Sequence, residues 1–302
     1  MFFNFRAYFA QYQKIKETMI NTVLIWPEGK KMAVTIRFML EAWSEGKAPP
    51  YSPMASPPKP GVVNLQGIKW AEYGPKVGAY RLMRIANKYE IPAVFCVNAR
   101  VAELFPEVIL EISASKFEIA GHNYAQDEVL SGLSFEEENQ LIHTSLKILE
   151  NVSGVRPRGW VSATLATTEN TLKILASEKL LWHGDYNNID LPYVINGMNS
   201  KMVAIPHSDF ADNRVLNGAP LDLFTTYQNT FDFLHQEEPN SYLNIVIHCH
   251  FGGRPLISAV FEKILKYIKQ FPDVWFPTHE ELSNHIIEKN IKEINYIDRF
   301  RK

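Results

Sequence analysis

Hydrophobic positions along this chain fall into two alternating patterns: short β-rich apolar runs, and longer stretches whose apolar residues return every third or fourth position. The first run, Met32 to Leu40 (MAVTIRFML), follows a turn at Trp26-Pro27-Glu28-Gly29 and stops at Glu41. Further strands are predicted at Ala93 to Val97, Phe117 to Ala120, Arg158 to Val161, Leu180 to Trp182, Met202 to Ile205, Tyr242 to Ile247 and Val274 to Phe276. Helical spacing opens at Tyr73-Gly74 and runs through Tyr80, Leu82, Met83 and Ile85. It recurs over Pro106 to Ser113, from the capping box at Ser134-Phe135-Glu136-Glu137 to about Glu150, over Thr168 to Glu178, Phe224 to Leu234 and Ile257 to Lys269, and again from Glu280. Strands separated by helices pair in parallel through crossover connections, and their number favours a closed or nearly closed barrel over an open sheet. The expected fold class is α/β, a distorted single-domain (β/α) barrel of about seven to eight strands. No repeat of solenoid period runs through the pattern.

Composition narrows the partners. The chain has 302 residues, 46% hydrophobic and 21% charged, enough for one barrel with a large core. Its 31 basic and 33 acidic residues are spread without blocks, which speaks against a nucleic-acid footprint or a membrane patch and for a small-molecule substrate. Cys96 and Cys249 sit far apart in apolar runs and are read as packing residues of a reducing compartment. Residues 1–25 are aromatic-rich but interrupted by Asn4, Arg6, Gln11, Gln13 and Lys14, which suits neither a signal peptide nor a membrane span. The expectation is an amphipathic helical extension that packs on the body (residues 26–302) or on a second subunit, with a homo-oligomer and a cytoplasmic location. Residues 46–61 carry six prolines with Ser and Gly, so they are expected to form a long loop over the end of the first strand.

Polar residues gather where strands stop: Glu41, Asn98, His122, Trp160, Asp185, His207 and His248. In a parallel barrel these share one mouth. A lone His after a strand is more often a hydrogen-bonded loop residue than a ligand, so the argument rests on company rather than on His122 alone. His122 belongs to the stretch FEIAGHNYAQDE (Phe117 to Glu128), with Gln126 just beyond it. Glu41 with His122 suits acid/base catalysis or a divalent metal. His248 ends an apolar run and precedes Gly252-Gly253-Arg254-Pro255, a turn that lets backbone approach a ligand. His250 is read as structural, being displaced into that turn, and His143, His183, His235, His279 and His285 as ordinary residues. Trp160 and Tyr193 are candidate aromatic walls of a substrate pocket, with Asn98 and Gln126 as candidate polar contacts. No phosphate loop, Cys-x-x-Cys site or Gly-x-Ser-x-Gly elbow is present, which lowers nucleotide, zinc-finger and serine-hydrolase readings.

With these residues in view, the sequence resembles the polysaccharide deacetylase (NodB-type) superfamily, within it the branch that includes the metal-independent type of allantoinase. The resemblance is carried in order by RFMLEAW, the Tyr73-Gly74 to Arg81-Leu82 segment, IPAVFCVNA, FEIAGHNYAQDEVLSGLSFEEE, RPRGW, LPY, IHCHFGGRP and VWFPTHEEL, from about Trp26 to His285. It implies a distorted barrel whose strand ends form a groove for hydrolysing amide-type C–N bonds in N-acetylated sugars or cyclic ureides. In metal-dependent members a catalytic Asp stands where this chain has Met39, and a metal-binding Asp where it has Glu41. A His-x-x-x-His pair stands where this chain has His122 and Gln126, and an Arg that orients the catalytic Asp aligns with Thr164. Two mechanisms are open. In one, a weakly bound divalent metal such as zinc on Glu41, His122 and Gln126 polarises the carbonyl while His248 protonates the leaving nitrogen. In the other no metal is bound: Glu41 is the base on water, and His122 and His248 stabilise the oxyanion and protonate the leaving group. The rival reading is a catalytically silent barrel that binds a sugar or ureide, motivated by Met39, Gln126 and Thr164.

Overall fold

The computed structural model describes residues 24–52, 59, 61–195 and 200–300. All but the last two positions of the expected helical extension over residues 1–25 lie outside these, as does much of the proline-rich loop. Nine strands are present among the described residues: β1 (Met32–Leu40), β2 (Val94–Val97), β3 (Glu118–Gly121), β4 (Gly159–Trp160), β5 (Trp182–His183), β6 (Tyr193–Val194), β7 (Val203–Ala204), β8 (Ser241–His248) and β9 (Val274–Trp275). Their order is β6-β7-β5-β4-β3-β2-β1-β8, with β9 pairing the start of β1. All neighbours are parallel except β6 and β7. The curled α/β sheet is thus the distorted barrel of the sequence expectation, with β6 as an added antiparallel strand. The helices are α1 (Leu65–Ala71), α2 (Ala79–Lys88), α3 (Ala99–Leu104), α4 (Pro106–Ala114), α5 (Phe135–Ser153), α6 (Thr171–Ser177), α7 (Pro220–Glu237), α8 (Pro255–Ile268) and α9 (His279–Glu288).

Strand β1 explains the architecture. Every one of its residues is buried, because both faces of a parallel sheet strand are covered. Its even positions Met32, Val34, Ile36, Phe38 and Leu40 join the core between sheet and helices, where the Phe38 ring lies 5.0 Å from Phe95 and meets Phe261 edge-on at 5.7 Å. Burying each such side chain contributes about 1.5–3 kcal/mol. The odd positions turn inward, and there the strand becomes polar: Thr35, Arg37 and, one residue past its end, Glu41. Arg37 spans the barrel interior. Its Nε donates to His279 Nε2 (3.1 Å), Nη1 to the Gly184 carbonyl (3.2 Å) and Nη2 to the Ile205 carbonyl (3.1 Å), with the Trp182 ring 5.4 Å away. It therefore ties β1 to the ends of β5 and β7 and to α9.

Register brings the strand ends to one rim. Leu40 pairs with Val97, Val97 with Gly121, Gly121 with Trp160, Trp160 with His183, and Met39 with His248. Side chains alternate between faces, so parity decides which of these reach the interior.

Candidate active site

Glu41, His122 and His248 converge. Glu41 Oε1 lies 3.7 Å from His122 Nε2 and 3.7 Å from His248 Nε2. The three sit in a cleft of about 520 Å³ at the strand ends, whose wall also includes Met39, Gln126 and Tyr51. Glu41 and His122 each lie one residue past a pairing position and His248 pairs with Met39, all on the inward parity set by Met39 and Ala120.

His248 is held by a residue that comes from elsewhere. Asp212, fully buried, accepts from His248 Nδ1 at 2.6 Å and from its backbone N–H at 2.9 Å. A side chain at Gly252 would put its Cβ 2.2 Å from Asp212 Oδ2, so only glycine admits this approach. Burial on its own lowers the His248 pKa, but the Asp212 carboxylate and then Glu41 outweigh it and raise the imidazole to about 9. At neutral pH His248 is a cation with a proton on Nε2 facing the cleft. The converse holds for Glu41: burial would raise it, yet His248, the His122 contact and His250 pull it down to about 2.

His122 has a fixed tautomer. Its Nδ1 lies 2.6 Å from the Val161 carbonyl, which can only accept, so Nδ1 carries the proton and Nε2 faces Glu41 without a hydrogen-bond partner. With the single proton on Nδ1, Nε2 presents a lone pair to the cleft, and with a second proton it would serve as the oxyanion donor expected above. Asn123 follows at φ 59° and braces the corner, accepting from the Ala163 N–H at 3.1 Å and donating to the Glu128 carbonyl at 2.8 Å. Thr164 and Leu165, at φ 55° and 58°, line the opposite wall. Such backbone in β-branched or bulky residues costs about 1–3 kcal/mol each.

Of the other expected contacts, Trp160, Asn98 and Tyr193 do not reach the cleft. Trp160 is fully buried on the helix side of the sheet, over Gly121, with its indole N–H on Ser162 Oγ at 3.1 Å; the next residue, Val161, lines the cleft instead. Asn98 is spent on the scaffold: its Oδ1 accepts from the Ala42 N–H at 3.0 Å and its amide donates to the His122 carbonyl. Tyr193 belongs to β6 and donates to Asn188 Oδ1 at 3.1 Å. Gln126 is in the wall, with an unpartnered buried Oε1. Asp185 accepts from both the N–H and hydroxyl of Ser162 (2.7 and 2.8 Å), fixing that wall. His207 lines the cleft, and burial followed by the Arg37 charge pushes its pKa down to about 3.

Two residues escaped the sequence reading. Asp212 lies in a connector before α7, where no strand end marks it. His250, expected to be a structural residue of the turn, is 1% exposed there, and its Nδ1 lies 3.5 Å from Glu41 Oε2.

A catalytic zinc takes three protein ligands. The unpartnered Glu41 Oε2, His122 Nε2 and Gln126 Oε1 supply a carboxylate, an imidazole and only a neutral amide. Among the described residues no group of three or more His, Cys, Asp or Glu is placed to hold an ion, and the positive charge beside Glu41 is supplied by His248. The donor set does not fit the metal of the metal-dependent members.

The sequence profile for polysaccharide deacetylases matches residues 72–180. The chain is 22% identical over 251 residues to a peptidoglycan deacetylase of Helicobacter pylori, covering 71% of this chain and 85% of that protein. Among solved structures, Puue allantoinase superposes with a TM-score of 0.76 at 26% identity, covering 86% of this chain and 91% of that one. A putative polysaccharide deacetylase from Mycobacterium smegmatis shares the fold with a TM-score of 0.78 at 22% identity, covering 91% and 97%.

Proposed function

The chain belongs to the polysaccharide deacetylase (NodB-type) family, and from that premise we propose that it hydrolyses a non-peptide carbon–nitrogen bond in an N-acetylated sugar or a cyclic ureide. The relatives named as a peptidoglycan deacetylase and an allantoinase motivate the two substrate classes. One observation carries the reading. Two lone-pair acceptors and one protonated donor, Glu41 Oε1, His122 Nε2 and His248 Nε2, meet within 3.7 Å contacts in a single cleft.

In this reading a water lies between Glu41 and His122, which accept its two hydrogens, and attacks the substrate carbonyl. The water oxygen bonds to carbon, one water proton passes to this acceptor pair, and a tetrahedral oxyanion forms beside the His248 cation. His248 then gives its Nε2 proton to the leaving nitrogen as the C–N bond breaks. Glu41 Oε1 and His248 Nε2 are 3.7 Å apart, so the proton taken from water returns to His248 and closes the cycle. Met39, in the place where the family's base stands, contributes only an apolar wall.

The test is turnover of N-acetylated sugars and cyclic ureides by the protein and by His248→Ala. The expected loss is roughly 10²-fold or more in kcat with substrate binding retained. Binding without hydrolysis by the unaltered protein would establish the second reading, a silent sugar- or ureide-binding barrel, which Met39 and the neutral Thr164 wall favour.

A further inference from the structure

Tyr51, His250 and Glu41 form a chain of contacts that the mechanism above does not use. The Tyr51 hydroxyl lies 3.3 Å from His250 Nε2, and His250 Nδ1 lies 3.5 Å from Glu41 Oε2. Neither atom of the second contact has a hydrogen-bond partner among the described residues, so their 3.5 Å approach is the contact open to each. The imidazole is locked: Trp70 packs at 4.9 Å and 71°, and Trp43 at 5.4 Å and 90°. Tyr51 comes from the proline-rich loop expected over the end of the first strand, and it lines the cleft.

The polarity of this chain is dictated from its inner end. A carboxylate oxygen only accepts, so the single proton of neutral His250 belongs on Nδ1. Nε2 is then bare, and the Tyr51 hydroxyl must donate to it. Enclosure by Trp70 and Trp43 disfavours a charged ring. With its hydrogen committed inward, Tyr51 has only lone pairs left for the cleft.

We infer that Tyr51, oriented by His250, is a specificity-determining acceptor that recognises the N–H of a secondary amide or ureide and discriminates against the matching ester or N-alkylated amide. The inference rests on the hydrolase reading and deepens it. An ester oxygen or an N-methyl group at that position offers no proton and leaves the phenol oxygen unsatisfied, a loss that one net hydrogen bond sets at about tenfold. Tyr51 touches substrate in this scheme, and His250 is a positioning residue.

Tyr51→Phe keeps the ring and removes the acceptor, so it leaves the aromatic packing in place. Expected results are a fall of roughly tenfold in kcat/KM on an N-acetylated sugar, and a change under about twofold on the corresponding O-acetyl ester. Equal losses on amide and ester, or none on either, would overturn the assignment. A second measurement needs no turnover: ¹⁵N spectra of histidine-labelled protein, with His250 identified by its disappearance in His250→Asn, should show the Nδ1–H tautomer. An Nε2–H ring would overturn it. A protein that hydrolyses neither substrate but shows the Nδ1–H form would refute the hydrolase reading and leave Tyr51 as the acceptor of a binding site, checked by calorimetry with N-acetylglucosamine and its N-methyl derivative. Equal affinity for the two would reject the inference.

Discussion

Asp212 spends both carboxylate oxygens on one residue, holding His248 by its ring and by its backbone. Asp212→Asn preserves shape but removes the charge that keeps His248 protonated. The active form is the protonated one, so activity is present below the His248 pKa and lost as pH rises through about 9. In the variant this alkaline limb should move down towards the ordinary histidine value of 6.5, with kcat at pH 8 reduced by up to roughly 30-fold; a pH–rate profile decides. A limb that stays near its original position would remove Asp212 from the mechanism. At this scale the sequence was readable where chemistry coincides with a strand end, as at Glu41, His122 and His248. It was not readable where parity intervenes: Trp160 and Val161 are neighbours, yet only the second faces the cleft. Asp212 was hidden for another reason, since a carboxylate on a connector shows its purpose only through a partner 36 positions away.

The turn that carries His248 and His250 is clamped by another element. Between α1 and α2 the helix widens to π geometry over Gly74–Gly78, and there it packs directly on the turn backbone. A Cβ at Gly78 would lie 1.9 Å from the Cys249 carbonyl oxygen, and one at Gly253 would lie 2.4 Å from the Gly78 Cα. Arg254 adds a clasp, donating to the carbonyls of His250 (3.0 Å) and Trp70 (3.1 Å). Gly78→Ala therefore forces backbone apart beside both histidines. It should cost about 3 kcal/mol of stability and most of the activity, measured by denaturant unfolding and by turnover. Retention of both would show that the turn is looser than drawn. The hydrophobic pattern identified α2 and β8 without marking this contact, because two glycines separated by 175 positions of chain leave no periodic trace. Helix α1, begun by the Asn64 cap at Gly67 (2.9 Å), was likewise concealed behind the proline-rich stretch. Strand β6 is only two residues long and reads as loop.

Across the molecule, burial sets the response to acid. His183 and His207 are held at about 3, and His250 at about 4, chiefly by desolvation, and His279 lies well below 6.5. The unfolded chain takes up these protons near 6.5 while the folded chain refuses them, so stability present above that pH is lost as pH falls through the folded values. Glu118, raised to about 7, and Asp185, also raised, act in the opposite sense, but they are fewer. His248 governs the alkaline side: its contribution is complete below 6.5 and lost as pH rises through about 9. Thermal unfolding followed across pH should give a maximum near 6.5, and a Tm still rising towards pH 9 would contradict this assignment. The barrel as a whole was legible in the sequence because alternation of strands and helices is a local signal. How its interior is filled was not, since the inward residues of β1 find partners on distant strands.

Arg37 holds no carboxylate within ion-pair reach among the described residues, only carbonyls, a neutral ring nitrogen and an indole face. Its field acts with burial to hold His183, His207 and His279 uncharged. Imidazoles gathered in one barrel interior would ordinarily blur into overlapping titrations. Here burial, joined by a permanent cation on the axis, silences those three, and none of them speaks over His248.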